Sequence, residues 1–272
     1  MEKVLLTGAS SGIGKAIAQK LAQEGYRVIA CVRKEEDAKA VEALSANIES
    51  YILDVTDDCG IENLYRTLNS SNTSLCAIIN NAGIAVAGIM EYADIDAIKH
   101  QLEVNSFAPL KIASKFMPLM KEGKIINISS VSSHMIYPFI TPYCASKRLL
   151  DTFFQGMACE LENENIKIVS IKPGVIKTPI WDKSISAAKK HFSNIPKEGV
   201  EKYKNKVEKL LKGMETSISG GLEPEVVAKT TLKVLRAKNP KGSYNVGMST
   251  YFGEFLSKLS VDIQRKLIRY HI

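Results

Sequence analysis

The sequence predicts an α/β protein: a Rossmann-like, doubly wound parallel sheet in one domain covering residues 1–272. Three observations lead there. Short runs that are apolar throughout alternate with segments of helical periodicity, the pattern of strands buried on both faces. A glycine-rich turn separates the first such run from the first helical segment. No internal repeat or low-complexity tract interrupts the alternation, and 272 residues with 45% hydrophobic content can fill one core of this kind.

The first unit is strand, helix, strand: apolar runs at 3–6 and 26–32 flank 12–24, where Ile13, Ile17, Ala18 and Leu21 recur at helical spacing. A helix over 35–46, a strand at 50–53, a helix at 59–69 and a strand at 75–80 follow. One long helix is expected over 94–120, then a strand at 124–128, a helix over 142–163 and a strand at 167–171. After Pro173 the pattern changes. A lysine-rich helical stretch, about 180–222, adds no strand before a helix at 224–238 and a last strand at 243–246. An excursion at the carboxyl edge of such a sheet sits where ligands bind, so it is expected to form a lid over the substrate. The extension 247–272 mixes Tyr251, Phe252, Phe255, Leu256, Leu259, Leu267 and Ile268 with Lys258, Arg265, Lys266 and Arg269; it is expected to pack on the domain or lid rather than on a membrane surface.

The net charge of +7 is concentrated in 183–212, where lysines interleave with Glu198, Glu201 and Glu208. That is a solvated helical face rather than a nucleic-acid surface, though a basic chain suits an anionic cofactor. No stretch near Met1 is long and apolar enough for a signal peptide or a membrane span, which predicts a cytoplasmic protein. Cys31, Cys59, Cys76, Cys144 and Cys159 are odd in number and lack paired spacing, so reduced thiols are expected, with Cys144 packed. His100, His134, His191 and His271 are too scattered to predict a metal site.

Thr7-Gly8-Ala9-Ser10-Ser11-Gly12-Ile13-Gly14 places bare amides and a helix dipole where a pyrophosphate can bind. Its spacing, Gly-x-x-x-Gly-x-Gly, meets the general dinucleotide fingerprint only loosely. Tyr143 and Lys147 stand four apart, on one helix face, and a fixed cation there is expected to lower the phenol's pKa toward neutrality.

With Asn80-Asn81-Ala82-Gly83, Ser130 thirteen residues before Tyr143, and Pro173-Gly174, these motifs make the chain resemble the short-chain dehydrogenase/reductase family over residues 1–180. It is most similar to the one-domain subgroup of hydroxysteroid and retinol dehydrogenases and bacterial reductases. The resemblance implies that Tyr143 is the general acid or base, that Lys147 lowers its pKa and binds the nicotinamide ribose, and that Ser130 holds the substrate oxygen. Ser130 is preferred over Ser129, Ser132 and Ser133 by its spacing to Tyr143. Asn105 would order a proton-relay water, or else satisfy local backbone as a helix-interior amide. Gly8, Ser10, Ser11, Gly12, Ile13 and Gly14 would hold the phosphates, and Asp54 and Val55 the adenine, with helix capping the other role open to Asp54. Asn81, Ala82 and Gly83 would line the cofactor cleft, as would Asn80 unless it stabilises the sheet. Pro173, Gly174, Val175, Ile176 and Thr178 would wrap the carboxamide.

At the end of the second strand Arg33 and Lys34 stand where an acidic residue would select NAD(H), which favours NADP(H). Glu35, Glu36 and Asp37 keep NAD(H) open. Ala85, His134, Met135, Phe139, Ile180 and Trp181 are expected at the substrate cleft and favour an uncharged, hydrophobic molecule. The expected function is NADP(H)-dependent hydride transfer between nicotinamide and a carbonyl or secondary alcohol. The rivals are a non-catalytic NADP(H) sensor or scaffold and an epimerase of the family's extended branch. By resemblance, the helices beginning at Asp94 and Pro142 would pair in a homodimer or homotetramer.

Overall fold

The computed structural model describes residues 1–161 and 165–271. Seven parallel strands form one sheet in the order β3-β2-β1-β4-β5-β6-β7. They are β1 (Lys3–Thr7), β2 (Arg27–Val32), β3 (Ile48–Ile52), β4 (Leu75–Asn80), β5 (Gly123–Ile128), β6 (Ile166–Pro173) and β7 (Ser243–Val246). The order reverses between β1 and β4, and the carboxyl ends of those strands open the crevice that doubly wound sheets use for ligands.

Alternation along the strands divides the core between the two faces. Val4, Leu6, Val28, Ala30, Ile79, Ile126 and Val169 bury one face with α1 (Gly12–Gln23) and α9 (Pro224–Arg236). Leu5, Ile29, Ile78 and Ile125 turn the other way, against Phe116 and Phe154. Those rings come from α5 (Ala108–Phe116) and α6 (Thr141–Glu160), with α3 (Asp58–Ser70) beside them. Apolar surface is therefore removed from water on both sides of each central strand, which explains why the strands read as unbroken apolar runs.

The expected helix over 94–120 is broken. It divides into α4 (Ile95–Leu102), a π turn at Glu103–Phe107 in which Ala108 N–H reaches Glu103 O, α5, and a 3-10 turn at Met117–Leu119. Pro109 has no N–H to offer the Asn105 carbonyl four residues back, and Pro118 interrupts the far end in the same way. The helix expected over 35–46 ends earlier, as α2 (Glu35–Glu42), so β3 begins at Ile48 rather than at 50. Residues 162 and 163 of the expected 142–163 helix lie outside the described residues.

The lysine-rich stretch forms two helices, α7 (Ile180–Asn194) and α8 (Lys197–Ser219), separated at Ile195-Pro196. Its stem is closed by Lys177 N–H to Leu222 O and Leu222 N–H to Val175 O. Beyond β7, α10 (Met248–Ser257) and α11 (Val261–His271) complete the chain. Thr250, Gly253 and Leu256 face inward, and a Cβ on Gly253 would stand 2.7 Å from Val131 Cγ2. Tyr251, Phe252 and Phe255 on the other face remain exposed, so the expected packing of the extension holds for one side of α10. Ile272 lies outside the described residues. Among the described residues no helix is long and apolar enough to cross a membrane.

Candidate active site

The crevice is assembled from the end of β1 outward. Thr7 Oγ1 accepts from Asn81 N–H at 3.0 Å and Ala82 N–H at 3.1 Å, while Asn81 Nδ2 donates to the Thr7 and Gly8 carbonyls at 3.0 and 2.9 Å. These bonds lash the β1 turn to the chain leaving β4. Gly8 and Gly12 adopt positive φ, +66° and +53°, and a Cβ on Gly14 would overlap the Gly8 carbonyl. Ser11 stands at the N-cap of α1 without giving its side chain to the backbone. The first-turn amides thus have no side-chain partner and point, with the helix dipole, at the crevice. A cradle that a Cβ would fill, ending in uncapped amides, fits a dinucleotide pyrophosphate.

A cavity of about 200 Å³ begins there and runs past Arg33, Asp54 and Val55 on one side to Ser130, Tyr143 and Lys147 on the other. Its wall brings together Gly8, Ser10, Ser11, Gly12, Ile13, Gly14, Asn81, Ala82, Gly83, Pro173, Gly174, Ile176 and Thr178. Two residues expected at the cofactor do not line it. Lys34 is exposed at the N-cap of α2. Val175 packs beside Gly221 at the stem of the insertion, 3.3 Å from where a Cβ of that glycine would lie. Asn80 donates to Asn127 Oδ1 at 2.8 Å inside the sheet, the other of its two anticipated places.

Asp54 accepts from Thr56 N–H at 2.9 Å and Thr56 Oγ1 at 2.7 Å, while Asp57 caps α3 through Cys59 N–H. Asp54 therefore shapes the turn before the helix and lines the cavity. Burial raises its pKa, but the two Thr56 bonds, with Arg33 and His100, outweigh that and hold the carboxyl below its ordinary value.

Tyr143 and Lys147 share one face of α6, as their spacing requires. The half-buried Tyr143 side chain faces the same cavity as Ser130. Buried Lys147 donates to Ile128 O at 2.9 Å, with Nζ 5.8 Å from the Tyr143 ring centroid. The expected depression of the tyrosine pKa is not found. Burial pushes Tyr143 up to about 12 despite the opposing influence of the nearby Ser130 hydroxyl. Burial also brings Lys147 down to about 8, partly offset by Asp151 one turn further along α6. Removal from water is the largest influence on the phenol, so at neutral pH Tyr143 holds its proton.

Asn105 is buried in the π turn. It donates to Ile84 O at 2.8 Å and Ser146 Oγ at 2.9 Å and accepts from Ile84 N–H at 2.9 Å. Its amide thus ties the chain after β4 to α6, and satisfies backbone that is distant in sequence rather than local. A Cβ on Gly83 would lie 3.3 Å from Asn105 Oδ1 and 3.7 Å from Lys147 Nζ, so glycine keeps the space beside the lysine clear.

Of the residues expected at the substrate, Ile180 and Trp181 line this cavity. Phe139 lines a separate cavity beneath α7 and α8. Met135 packs near Gly253, and Ala85 is half-buried away from this wall. His134 belongs to a buried network that its sequence position did not announce: Lys172 Nζ is 3.3 Å from His134 Nε2 and 2.9 Å from Asp151 Oδ2, and Ser170 Oγ donates to Asp151 at 3.0 Å. Burial, then the Lys172 charge, lowers the His134 pKa. Arg148 donates to the Ser133 and His134 carbonyls at 3.1 and 3.0 Å, fixing the turn that carries Ser130. His100 on α4 also reaches the cavity. Nothing in its spacing marks it, because the approach of α4 to the β2 end is tertiary. Val32, next to Arg33, was legible from strand position.

A family model described as short chain dehydrogenase matches residues 2–189. The NADPH-dependent 3-dehydrocapnine reductase of Ornithobacterium rhinotracheale is 32% identical over 90% of this chain and 88% of its own length. The 3-ketodihydrosphingosine reductase of Bacteroides thetaiotaomicron is 28% identical over 90% of this chain and 87% of its own. A short-chain dehydrogenase from Streptomyces avermitilis superposes with a TM-score of 0.79 at 21% identity, covering 99% of this chain and 95% of that one. Sequence likeness over most of the length and a shared sheet converge on one conclusion: the chain belongs to the short-chain dehydrogenase/reductase family of oxidoreductases, which act on small molecules with a nicotinamide dinucleotide.

Proposed function

We propose that the protein is an NADP(H)-dependent reductase of a carbonyl, or in reverse a dehydrogenase of a secondary alcohol, acting on a hydrophobic substrate. The observation that carries this reading is that Tyr143, Lys147 and Ser130 line the same cavity as the uncapped amides of the glycine loop. Gly12, Ile13 and Gly14 would hold the pyrophosphate, with Ser10 and Ser11 beside it; Asp54 and Val55 would meet the adenine, and Ile176 and Thr178 the carboxamide. When bound, the reduced nicotinamide supplies the hydride.

The chain's own residues supply position and proton. Ser130 orients the substrate oxygen, and Tyr143 delivers its proton to that oxygen as negative charge develops. A phenolate left behind is favoured by Lys147 in its charged form. The Asn105 carbonyl, which Pro109 cannot engage with an N–H, would order a water near Lys147, and that water would return a proton to the phenolate. Among the described residues Arg33, on the cavity wall, forms no salt bridge, which leaves its fork for a 2′-phosphate. Glu35, Glu36 and Asp37 occupy the first turn of α2, where acidic groups offset the helix dipole. The NADPH dependence of the Ornithobacterium relative supports the same preference. The α7–α8 pair would act as the substrate lid, and pairing of copies through α4–α5 and α6 would be read by native mass spectrometry.

The test is NADPH oxidation across a panel of ketones. Tyr143→Phe should lower kcat by about 10²–10⁴ while NADPH affinity is kept. Tight NADPH binding with no turnover across the panel would instead favour the sensor reading.

A further inference from the structure

Beneath α7 and α8 lies a second cavity, of about 260 Å³, lined by Phe139, Ala188, Phe192, Leu210, Leu211 and Met214. An adjoining cavity of about 660 Å³ shares with it the segment Ala87–Ile89 and His191. The larger one reaches Pro142 and Val86, which are one and two residues from Tyr143 and Ile84 of the catalytic cavity. Along α7 the change of neighbour is continuous. Ile180, Trp181 and Lys183 face the catalytic cavity, and Ser184, Ala188 and Phe192, four apart on one helix face, turn to the apolar one.

Two further features mark this as a built site rather than loose packing. Phe139 holds a left-handed backbone, φ +67°, rare for a bulky residue, and in that conformation its carbonyl accepts Gly88 N–H at 2.7 Å and fixes the cavity floor. Gly88 packs closely on α7, since a Cβ there would lie 3.0 Å from the His191 ring. Ser184 Oγ and His191 Nε2 are buried on the wall without a hydrogen-bond partner.

We infer that these cavities receive the tail of the enzyme's own substrate, and that the substrate is a long, unbranched alkyl compound with its carbonyl near the polar end. The inference rests on the carbonyl-reductase reading and gives it a substrate class. A carbonyl at Tyr143 and Ser130 sends its chain past Trp181 and under α7, and Trp181 to Phe192 spans about 16 Å along the helix axis. The smaller cavity is walled by apolar side chains of both α7 and α8, while the larger one also meets Lys190, His191 and Asn194 of α7. A flexible chain follows such a bent passage; a rigid polycyclic body does not.

The experiment measures kcat/KM with NADPH for unbranched 2-ketones from 2-pentanone to 2-tridecanone, in wild type, Ala188→Phe and Phe192→Ala. Wild type should gain about threefold to fourfold per added methylene before levelling. Ala188→Phe should level at a shorter chain, and Phe192→Ala at a longer one. In parallel, 1-dodecanol and 1-hexanol are titrated against the fluorescence of Trp181, the chain's one tryptophan. Dodecanol should bind more tightly than hexanol in wild type, and Ala188→Phe should narrow that difference. Chain-length dependence that is flat in wild type, or unchanged in both variants, overturns the tail site while leaving ketone reduction standing. Dodecanol binding that responds to Ala188→Phe without turnover of any ketone upholds the tail site and removes the reductase reading.

Discussion

The two walls of the active cleft are built by opposite means. On the sheet side, positions are fixed by buried bonds: Thr7 to Asn81, Asn105 to Ile84 and Ser146, Lys147 to Ile128, Lys172 to Asp151. On the α7–α8 side the inner face is apolar side chain and the outer face solvated charge, with Lys202 and Glu91 meeting at the exposed surface. Directional bonds in a dry interior hold reacting groups to a geometry, whereas apolar contact is tolerant of shape. The residues proposed for the chemistry sit on the wall held by directional bonds, and those proposed for substrate choice on the wall built from apolar contact.

The sharpest way to break that contrast is to remove one partner of the buried ion pair. Asp151→Asn would leave the Lys172 charge uncompensated, at an expected cost of about 3–5 kcal/mol in urea unfolding. The double change Asp151→Leu with Lys172→Met should recover much of that loss, since no charge is then stranded. A small effect of Asp151→Asn would show that the sheet-side wall is not held as described.

Lys147 gives the next largest effect, through pH. Its folded pKa, about 8, lies below the ordinary value of 10.5. Between those values the unfolded chain binds a proton that the native chain has released, so native stability rises with pH across that window. Relative to Lys147→Met, wild type should gain up to about 3 kcal/mol from pH 8 to 10.5, measured as the difference between their denaturation midpoints over a pH series. A wild-type advantage that shrinks with rising pH contradicts the burial of this amine.

Arg33→Asp is smaller and confined to the cofactor. NADPH affinity relative to NADH should fall about 10- to 100-fold, the worth of one or two charge-assisted bonds, read by fluorescence titration of both dinucleotides. Unchanged affinity for NADPH would move the phosphate contact elsewhere. The smallest effect belongs to the insertion's surface: Lys202→Ala removes the exposed pair with Glu91 and should leave the urea midpoint where it is, because water already solvates both charges.

How far the chain could be read in advance follows the range of the forces involved. The seven strands were legible because each is a local run of apolar side chains, and the phosphate cradle because glycine is needed wherever backbone turns left-handed or meets backbone closely, as at Gly8 and Gly14. The break at Asn105 was missed although Pro109 is plainly in the sequence, since proline is also at home in a helix's first turn. Val175 was drawn into the site with its neighbours, but the stem bond to Leu222 turns it aside. The Tyr143 and Lys147 pKa directions could not be read from spacing, which shows proximity and not the loss of water.

By itself, then, the sequence determined the alternation of strands and helices, the glycine turn, and the helical juxtaposition of Tyr143 and Lys147, all of which arise within a few residues. Tertiary structure decided that Asp151 faces Lys172, that His100 reaches the cleft, that burial raises the phenol's pKa, and that α7 and α8 cover an apolar cavity. Those outcomes depend on which distant surfaces exclude water together, and dehydration is a property of the packed assembly, not of any one segment.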